Sequence, residues 1–421
     1  MESLAIIGSG IAGMGAAHFL QHDYDITIFE KESYVGGHTN TLFVSEEGEE
    51  VAIDSGFMVF NHVTYPNLVR LFKELDVPTK KTCMSFSVKD SPGKLEYCGS
   101  GLNGLFRQRR NILRPRFIKM LLSINRFNQD AIDILNDPNY DDVTIEELVE
   151  ERAYGDDFFD KYLVPMSGAV WSTPPDKMRG FPAKTLIRFF YNHGFLGLNT
   201  QHQWYTMEGG SESYKSRLID PFKERIKLNQ NIATVRRSNG KVKLGFKDGS
   251  HRIFDKVLFS CHGDQALKLI ESPNQQQEQL LSPFKYQKNH VLLHTDRKVM
   301  PKIKGVWSSW NYRMEMNHRQ EVIPSTIYWM NRLQGISKKT DYFISLNDTG
   351  IIDDHKVLRE IYYEHPLFDQ AAVRAQQELQ QLNQDDEPFY FCGAYFRYGF
   401  HEDGFQSAIN VSEKLLGRPA W

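Results

Sequence analysis

The spacing of apolar and polar positions changes along the chain, from helical in some segments to strand-like in others. Near the N-terminus, the apolar runs LAII and DITIF flank a segment with helical spacing, which predicts strand, helix and strand. From about residue 65 to 205 the spacing is mostly helical, as in PNLVRLFKELDV, PRFIKMLLSINRFNQDAIDILND and TIEELVEERAY, with Pro115 and Thr144 as start signals. From about residue 285 to 350, KNHVLLHTD, STIYWMNRL and DYFISLN predict strands. The pattern predicts an α/β chain whose first unit is interrupted by a mixed helix-and-sheet unit.

The turn between the first predicted strand and helix is rich in glycine. Gly8, Gly10 and Gly13 form G-x-G-x-x-G, in which the glycines allow a tight turn, close approach of a pyrophosphate and helix–strand packing. The helix N-terminus then faces the phosphates. Glu30 ends the second strand about 20 residues later, where a carboxylate accepts hydrogen bonds from ribose hydroxyls. The pattern predicts a dinucleotide site.

Composition narrows the class of protein. The 421 residues, 24% charged and 41% apolar, predict a packed globular protein of two or three domain-sized units. The formal net charge of −3 gives no general reason to expect nucleic acid, and no nucleic-acid-reading motif is present. The four cysteines form no CxxC pair, which argues against zinc and a disulfide framework. Without a signal-peptide pattern or a long apolar run, the expected location is cytoplasmic.

Further glycines favour FAD over NAD alone. Gly36 and Gly37 follow Glu30, and an Asp-x-Gly formed by Asp54 and Gly56 follows them. With WYTMEGGSESY, IKLNQNIATV and FYFCGAYFRYGFHEDGFQSAINVSEKLLG, this order resembles the amine oxidase and phytoene desaturase superfamily of flavoproteins along nearly the whole chain. The resemblance implies a two-dinucleotide-binding (Rossmann-like) FAD domain with an inserted mixed α+β substrate domain. The implied FAD domain comprises residues 1–64, 206–262 and 385–421, and the substrate domain comprises 65–205 and 263–384.

The same resemblance implies the cofactor site. FAD is expected to be non-covalent, because QLNQDDEPFYF, before the closing strand, lacks the linking cysteine of some relatives. Ile232 is expected at the adenine. The candidate cofactor-binding residues are Gly8, Gly10, Ile11, Ala12, Gly13, Glu30, Lys31, Gly36, Gly37, His38, Gly56, Phe57, Ile232, Gly393, Glu402, Asp403, Gly404 and Phe405.

The consecutive residues His401, Glu402 and Asp403 stand at the turn that meets the flavin ring in this superfamily. The last helix is predicted to begin near Asp403 or Gly404, with Asp403 as its N-cap and its free N–H groups facing the flavin. No metal site is predicted, because three neighbours on a tight turn diverge. His401 is the candidate catalytic residue, either as a base acting on substrate or as a packed ring that shapes the pocket.

Shorter motifs indicate a substrate class. DSGFMVFN, YPNL, NHGFL, HTDRKVMP, WSSWNY and YWMNRLQ resemble a bacterial subgroup of NAD/FAD-binding proteins that accompany cyclopropane-type fatty-acid methyltransferases. This resemblance implies hydride transfer from an unsaturated or methyl-branched fatty acyl chain, presented by a phospholipid, with such a methyltransferase as a partner. The alternatives are an amine oxidase, a redox-neutral fatty-acid double-bond isomerase, and a non-catalytic flavoprotein that supports a lipid methyltransferase.

Two further features bear on the substrate. Residues 106–126 interleave basic and apolar side chains, and no acid lies between Glu96 and Asp130. This suits peripheral contact with an anionic membrane at its inner face, an acyl-phosphate head group, or a solvated helix face over a buried stripe. Aromatic residues, together with Met330, also crowd several segments as pocket walls or core residues. They are Trp171, His193, Trp204, Trp307, Trp310, Tyr312, Tyr328, Trp329, Met330, Tyr395, Phe396 and Tyr398.

Overall fold

The computed structural model describes residues 1–197, 200–316, 319, 321–384 and 387–421. The strands β1 to β20 are, in chain order, Ser3–Ile7, Asp25–Phe29, Thr41–Glu46, Glu49–Asp54, Phe60–Asn61, Thr79–Thr82, Phe86–Asp90, Leu95–Cys98, Trp204–Met207, Ile226–Lys227, Ile232–Ser238, Lys241–Phe246, His251–Phe254, Lys256–Phe259, Lys285–His294, Trp310–Met316, Val322–Trp329, Phe343–Leu346, Val357–Leu367 and Phe389–Phe391. The helices α1 to α15 are Ile11–Leu20, Pro66–Glu74, Gly101–Leu105, Pro115–Asn136, Ile145–Glu151, Asp156–Phe158, Val164–Trp171, Pro175–Arg179, Ala183–Asn192, Glu212–Ile219, Gly263–Leu269, Gln275–Leu281, Met330–Leu333, Gln370–Gln376 and His401–Leu416.

A five-stranded parallel sheet carries the glycine-rich turn. Its strand order is β10-β2-β1-β14-β20, and Ile6 of β1 pairs with Ile28 of β2 and Leu258 of β14. The strands are short, continuous apolar runs, as expected for a parallel sheet covered on both faces. Helices α1 and α15 pack together, and a Cβ placed on Gly15 would lie 2.7 Å from the Phe405 ring. The predicted α/β class is confirmed.

A second, seven-stranded sheet has the order β19-β15-β18-β17-β16-β7-β8 and is antiparallel except for the β16–β7 pair. Helices α2 to α9 lie in the region predicted to be mostly helical, which also contains strands β6 to β8. Thr144 caps α5 with a capping box to Glu147, and Pro115 opens α4, as the start signals predicted. In STIYWMNRL the strand ends at Trp329 and a short helix follows, because the Asn331 side chain bonds to the carbonyls of a returning loop.

The three segments predicted for the FAD domain supply all five strands of the parallel sheet. The seven-stranded sheet is built only from the two segments predicted for the substrate domain. The predicted boundary at 385 falls on residues 385 and 386, which lie outside the described residues. The domain limits therefore stay a prediction. Within the described ranges, no helix is both long enough and apolar enough to cross a membrane.

Candidate functional site

The glycine-rich turn leaves open space on one side. Gly8 has a φ of +106°, and a Cβ on Gly13 would lie 2.0 Å from the Gly8 carbonyl oxygen. Both positions therefore require glycine. A Cβ on Gly10 would meet no protein atom within 4 Å. Ile11 and Ala12 are buried at the start of α1. The free space beside Gly10, at a helix N-terminus, suits a pyrophosphate.

Glu30 is buried beside this turn. One carboxylate oxygen, Oε2, accepts hydrogen bonds from the Ser9 amide at 2.9 Å and the Ser9 hydroxyl at 2.6 Å, and Oε1 accepts from the Glu32 amide at 3.0 Å. The Gln230 amide donates to the Glu30 carbonyl at 2.8 Å, which brings the start of β11 and hence Ile232 alongside. Lys31 is exposed and pairs with Glu32 at 3.7 Å.

The second glycine pair packs against the first. A Cβ on Gly37 would lie 3.5 Å from the Gly10 Cα, and a Cβ on Gly56 would lie 2.3 Å from the His38 carbonyl oxygen. The Phe57 amide donates to that same oxygen at 2.7 Å. Five predicted cofactor residues from three separate segments of the chain therefore lie close together.

The His38 ring follows this glycine pair. It stacks on Tyr363 with ring centroids 4.6 Å apart, and the His365 ring lies 5.0 Å away. Burial, followed by the nearby imidazoles of His365 and His262, holds the pKa of His38 well below its usual value. Its Nε2 is buried and has no hydrogen-bond partner among the described residues. Since buried polar atoms are normally satisfied, this nitrogen and the space beside Gly10 fit a bound dinucleotide.

The His401 imidazole lies in a buried network. Its Nε2 is 3.0 Å from both the Thr39 hydroxyl and the Tyr214 hydroxyl, and these two oxygens are 2.5 Å apart. The ring is parallel to that of Phe57, with centroids 3.9 Å apart. Burial lowers the pKa of His401 to about 3. The imidazole is therefore neutral, and it ties α15 to the second glycine element and to α10.

Helix α15 begins at His401, so the predicted start near Asp403 or Gly404 is wrong. Asp403 is also not the N-cap: Phe400 holds that position, and its amide donates to Asp403 Oδ2 at 2.9 Å. A carboxylate in the first turn of a helix suits this return bond. Burial raises the pKa of Asp403 to about 7, although the Phe400 amide opposes the shift.

The rest of the closing segment packs against α1 and the loop before α15. A Cβ on Gly404 would lie 2.9 Å from the Ile11 side chain, and Phe405 is fully buried near Phe19. The Gly393 amide donates to the Ser407 hydroxyl at 2.8 Å. Whether these residues also contact the cofactor stays a prediction.

The Glu402 side chain caps a different helix. Its Oε1 accepts from the Asn67 amide at 2.9 Å and from Asn67 Nδ2 at 2.7 Å, and its Oε2 accepts from the Leu68 amide at 3.0 Å. These amides belong to the first turn of α2. Burial raises the pKa of Glu402, and the α2 amides oppose that shift. Glu402 thus joins the first turns of two helices.

We expect Glu402→Gln to lower the free energy of unfolding by about 1–3 kcal/mol. The amide keeps one oxygen but turns an NH₂ group toward an N–H of Asn67 or Leu68, which leaves a buried donor unpaired. Urea denaturation of the variant and the parent measures the difference. Glu413→Gln on the same helix is the matched control and is expected to change stability by under about 0.5 kcal/mol. Equal stability of Glu402→Gln and the parent would contradict the capping role.

Asp54 joins several segments around the site. Its carboxylate accepts from the Thr41 hydroxyl at 2.6 Å, from the Ser211 amide and hydroxyl at 2.8 and 2.7 Å, and from Gln334 Nε2 at 2.6 Å. Burial raises its pKa despite these donors. The sequence marked Asp54 only through its Asp-x-Gly spacing. It gave no local signal for the other residues that converge here and at His401, which are Thr39, Thr41, Ser211, Tyr214 and Gln334.

Aromatic rings pack beside the first turn of α15. Phe400 stacks on Phe189 with centroids 5.0 Å apart, and Trp171 lies 6.0 Å from Phe400. Trp171 Nε1 donates to the Tyr398 carbonyl at 3.1 Å. His193 stacks on Phe189 at 3.9 Å, and burial lowers its pKa to about 4. Apolar and neutral groups therefore dominate this side of the site.

The candidate tryptophans of the strand-rich region separate into two groups. Trp307 and Trp329 pack around Phe343 in a small core of their own. Trp310 instead packs against both of the two largest cores, as does Phe195. The indole nitrogens of Trp310 and Trp204 are buried without hydrogen-bond partners in the described part of the chain. In that same part, no three His, Cys, Asp or Glu side chains converge as a metal site.

A parallel sheet with a glycine-rich turn, a buried acid at the end of β2 and a second glycine pair define a dinucleotide-binding flavoprotein. Residues 11–329 match the family described as flavin containing amine oxidoreductase, so the chain belongs to that family. Its cofactor is FAD, and it is an FAD-dependent oxidoreductase.

Solved structures share the whole fold at low sequence identity. Putrescine oxidase bound to putrescine has a TM-score of 0.70 and 12% identity over 99% of both chains. The CLA-producing fatty acid isomerase from P. acnes has a TM-score of 0.67 and 13% identity over 99% of this chain and 98% of that one. Cyclohexylamine oxidase from Brevibacterium oxydans IH-35A has a TM-score of 0.67 and 14% identity over 99% of both.

One stretch of 70 residues is 46% identical to an uncharacterized protein of Acanthamoeba polyphaga mimivirus. This stretch is 16% of the present chain and 14% of the viral protein. It therefore supports no statement about the activity of the whole chain.

Proposed function

We propose that the protein is a non-covalent FAD-dependent oxidoreductase that acts on an unsaturated or methyl-branched fatty acyl chain. Bound FAD supplies the capacity to accept a hydride from an activated C–H bond. The protein's own part is to bind, to orient and to exclude water. Gly10, Glu30, Gly37 and His38 would hold the dinucleotide.

The acyl substrate is inferred from the aromatic cluster at the first turn of α15. Phe400, Phe189 and Trp171 offer an apolar surface there, and His193 is neutral. The two carboxylates of that turn, Glu402 and Asp403, already accept backbone N–H groups. Aromatic walls accommodate either an acyl chain or an amine. Because both carboxylates at this turn are already engaged by backbone N–H groups, the acyl chain is favoured. The fold is similar to that of a fatty acid isomerase and to those of amine oxidases, so it admits either substrate class.

Anaerobic mixing of the oxidised holoprotein with dispersed unsaturated phospholipid, and separately with amines, tests the substrate. We expect lipid to bleach the flavin absorbance and amines to leave it unchanged. Bleaching by amines alone would establish an amine oxidase instead. Conversion of the lipid to a positional isomer, with no net oxidant consumed, would establish an isomerase.

The remaining alternative is a flavoprotein that only supports a partner. If lipid alone leaves the flavin and itself unchanged, but a cyclopropane-type fatty-acid methyltransferase gains activity when the protein is added, the catalytic proposal fails. We propose that such a methyltransferase is a partner in either case, because it acts on the same acyl chains.

FAD should be released by denaturation. The chain positions the cofactor through glycines and hydrogen bonds, and we expect heat or acid to separate all flavin from the polypeptide. Glu30→Ala should weaken the free energy of FAD binding by about 1–3 kcal/mol, because a charged hydrogen-bond acceptor is lost. This raises the Kd for FAD roughly 5- to 150-fold. Flavin fluorescence in the supernatant after denaturation measures the release, and titration of the folded apoprotein with FAD measures the Kd. Flavin that precipitates with the chain would contradict non-covalent binding.

His401 should act as a neutral positioning group. With a pKa of about 3, its imidazole should not take up a proton between pH 8 and 5. A histidine NMR titration, assigned with His401→Gln, should show constant chemical shifts over that range, and the variant should retain FAD. Titration near pH 6.5 would instead support a role as a general base.

A further inference from the structure

Residues 102–122 form an exposed surface of mixed basic and aliphatic side chains, which we call the basic–apolar patch. Four large aliphatic residues in it are more than half exposed: Leu102 at 72%, Ile112 at 53%, Leu113 at 85% and Leu122 at 66%. They account for four of the exposed large hydrophobic side chains within a short stretch of the chain. Solitary exposed aliphatic residues need no explanation, but a group of this kind does.

Local anchoring explains why these side chains point outward. The 3₁₀ segment Arg109–Leu113 is held to the β7–β8 hairpin by Asn111, which is fully buried and donates to the Glu96 carbonyl at 3.2 Å. The Gln108 side-chain oxygen accepts from the Glu96 amide at 3.2 Å. Because Asn111 points inward, Ile112 and Leu113 next to it project into solvent. The exposure is therefore built into the fold.

Helix α4 extends the same surface. Its buried face includes Phe117, Met120, Phe127, Ala131 and Ile134. Lys119, Leu122 and Arg126 are exposed, at the i, i+3 and i+7 spacing that places side chains on one face of a helix. The helix thus has one apolar face that packs inward, and a second face that combines aliphatic and basic groups.

Most basic side chains of the patch form no ion pair with the described residues, although Arg110 donates to the Lys94 carbonyl. Between Glu96 and Asp130 the chain has seven basic residues and no acid. Arg116 pairs with Asp157 at 2.7 Å. No ion pair involves Arg109, Arg114 or Lys119 within the part of the chain that the structure describes. On a chain with a formal net charge of −3, this is a local concentration of positive charge.

We propose that the basic–apolar patch binds the surface of an anionic lipid bilayer, with Ile112 and Leu113 entering the headgroup region. Basic residues are attracted to the negative surface, and adjacent aliphatic side chains gain by leaving water. An acidic protein surface would satisfy the charges but would not need aliphatic residues that project beyond them. This proposal rests on the proposed function in one respect: binding to a membrane would bring the acyl-chain site close to its substrate.

Vesicle sedimentation of the holoprotein tests this. We expect binding to vesicles of phosphatidylglycerol mixed with phosphatidylcholine at low salt, weak binding to phosphatidylcholine alone, and release at high salt. The triple variant Arg109→Gln, Arg114→Gln and Lys119→Gln should weaken partitioning about 100-fold, at about five-fold per basic residue. Ile112→Gln with Leu113→Gln should weaken it by about 10-fold or more through lost apolar contact.

Control substitutions outside the patch test whether any loss of vesicle binding is specific to the patch. Lys73→Gln, Lys247→Gln and Lys338→Gln remove the same charge from exposed sites elsewhere and should leave vesicle binding unchanged. Ile253→Gln removes another exposed aliphatic residue and should also have no effect. Thermal unfolding should show that all variants remain folded.

Two results would overturn the patch proposal. One is equal binding to neutral and anionic vesicles, and the other is unchanged binding by both patch variants. The proposed function is judged separately, by flavin bleaching with lipid dispersed in detergent, where no bilayer is present. If the patch variants bleach normally there but fail to bind vesicles, both proposals stand. If the parent binds vesicles but no lipid bleaches the flavin, the patch stands and the acyl-substrate proposal fails.

Discussion

Gly10→Ala should fold normally and bind FAD about 10- to 100-fold more weakly than the parent. A Cβ at this position meets no protein atom within 4 Å, and Gly10 has φ −66° and ψ −178°, which alanine adopts without strain. Gly10 is the N-cap of α1, so alanine should cost at most about 1 kcal/mol of stability. The same Cβ would occupy the space for the pyrophosphate, and overpacking there costs about 1–3 kcal/mol.

Gly13→Ala is the contrasting variant. Its Cβ would lie 2.0 Å from the Gly8 carbonyl oxygen and 2.7 Å from the Ser260 hydroxyl, so β1 and α1 would have to separate. We expect a loss of about 3 kcal/mol or more of stability, measured by denaturation without added FAD. Isothermal titration of apoprotein with FAD measures the effect of Gly10→Ala. If Gly10→Ala bound FAD like the parent, the cofactor would not lie against this turn.

Lowering the pH from 7 to 5 should destabilise the protein, because several buried histidines are held neutral in the folded state. Burial lowers the pKa of His193 to about 4, of His294 to about 4 and of His401 to about 3. In the unfolded chain their pKa is about 6.5. The unfolded state therefore binds more protons below that value, so the stability from these neutral rings is complete above about pH 6.5 and falls with pH. At pH 5 each ring costs about 2 kcal/mol.

Asp403 acts in the opposite direction. Its pKa, raised by burial to about 7, means that the folded state takes up a proton first as the pH falls, which offsets roughly one imidazole. His38 and His365 add to the histidine effect, because burial also lowers their pKa. Asp54 and Glu402 act in the same direction as Asp403, because burial raises their pKa values too. Because five buried imidazoles outnumber these three carboxylates, we expect the free energy of unfolding to fall by about 2 kcal/mol or more between pH 7 and 5. Urea denaturation at several pH values, with saturating FAD, measures this.

His294 provides a control outside the cofactor site. Its Nδ1 accepts from the Asp296 amide at 3.1 Å, which leaves Nε2 to donate to the Ser345 hydroxyl at 2.8 Å. Protonation would turn Nδ1 into a donor facing another donor. His294→Gln should therefore reduce the slope of stability against pH by about 1.4 kcal/mol per pH unit near pH 5. An unchanged slope would show that His294 is not held neutral.

The sequence by itself determined the parallel-sheet unit and the core of its cofactor turn. Gly8, Gly10, Gly13 and Glu30 lie within one strand–helix–strand unit, where backbone conformation and contacts between close neighbours decide the geometry. The start signals at Pro115 and Thr144 were readable for the same reason, since a cap involves residues within one turn. Such features need no knowledge of how distant segments pack.

Only the tertiary structure decided what the flanking residues do. Helix α15 begins at His401, earlier than predicted, because the Asp403 carboxylate accepts a hydrogen bond from the Phe400 amide. The Glu402 side chain caps α2, which lies more than 300 residues earlier in the chain. The neutrality of His401 depends on burial against Phe57 and Tyr214, which belong to other segments. Pairings between segments so far apart leave no periodicity or spacing in the sequence, because they arise when separately encoded elements pack into one core.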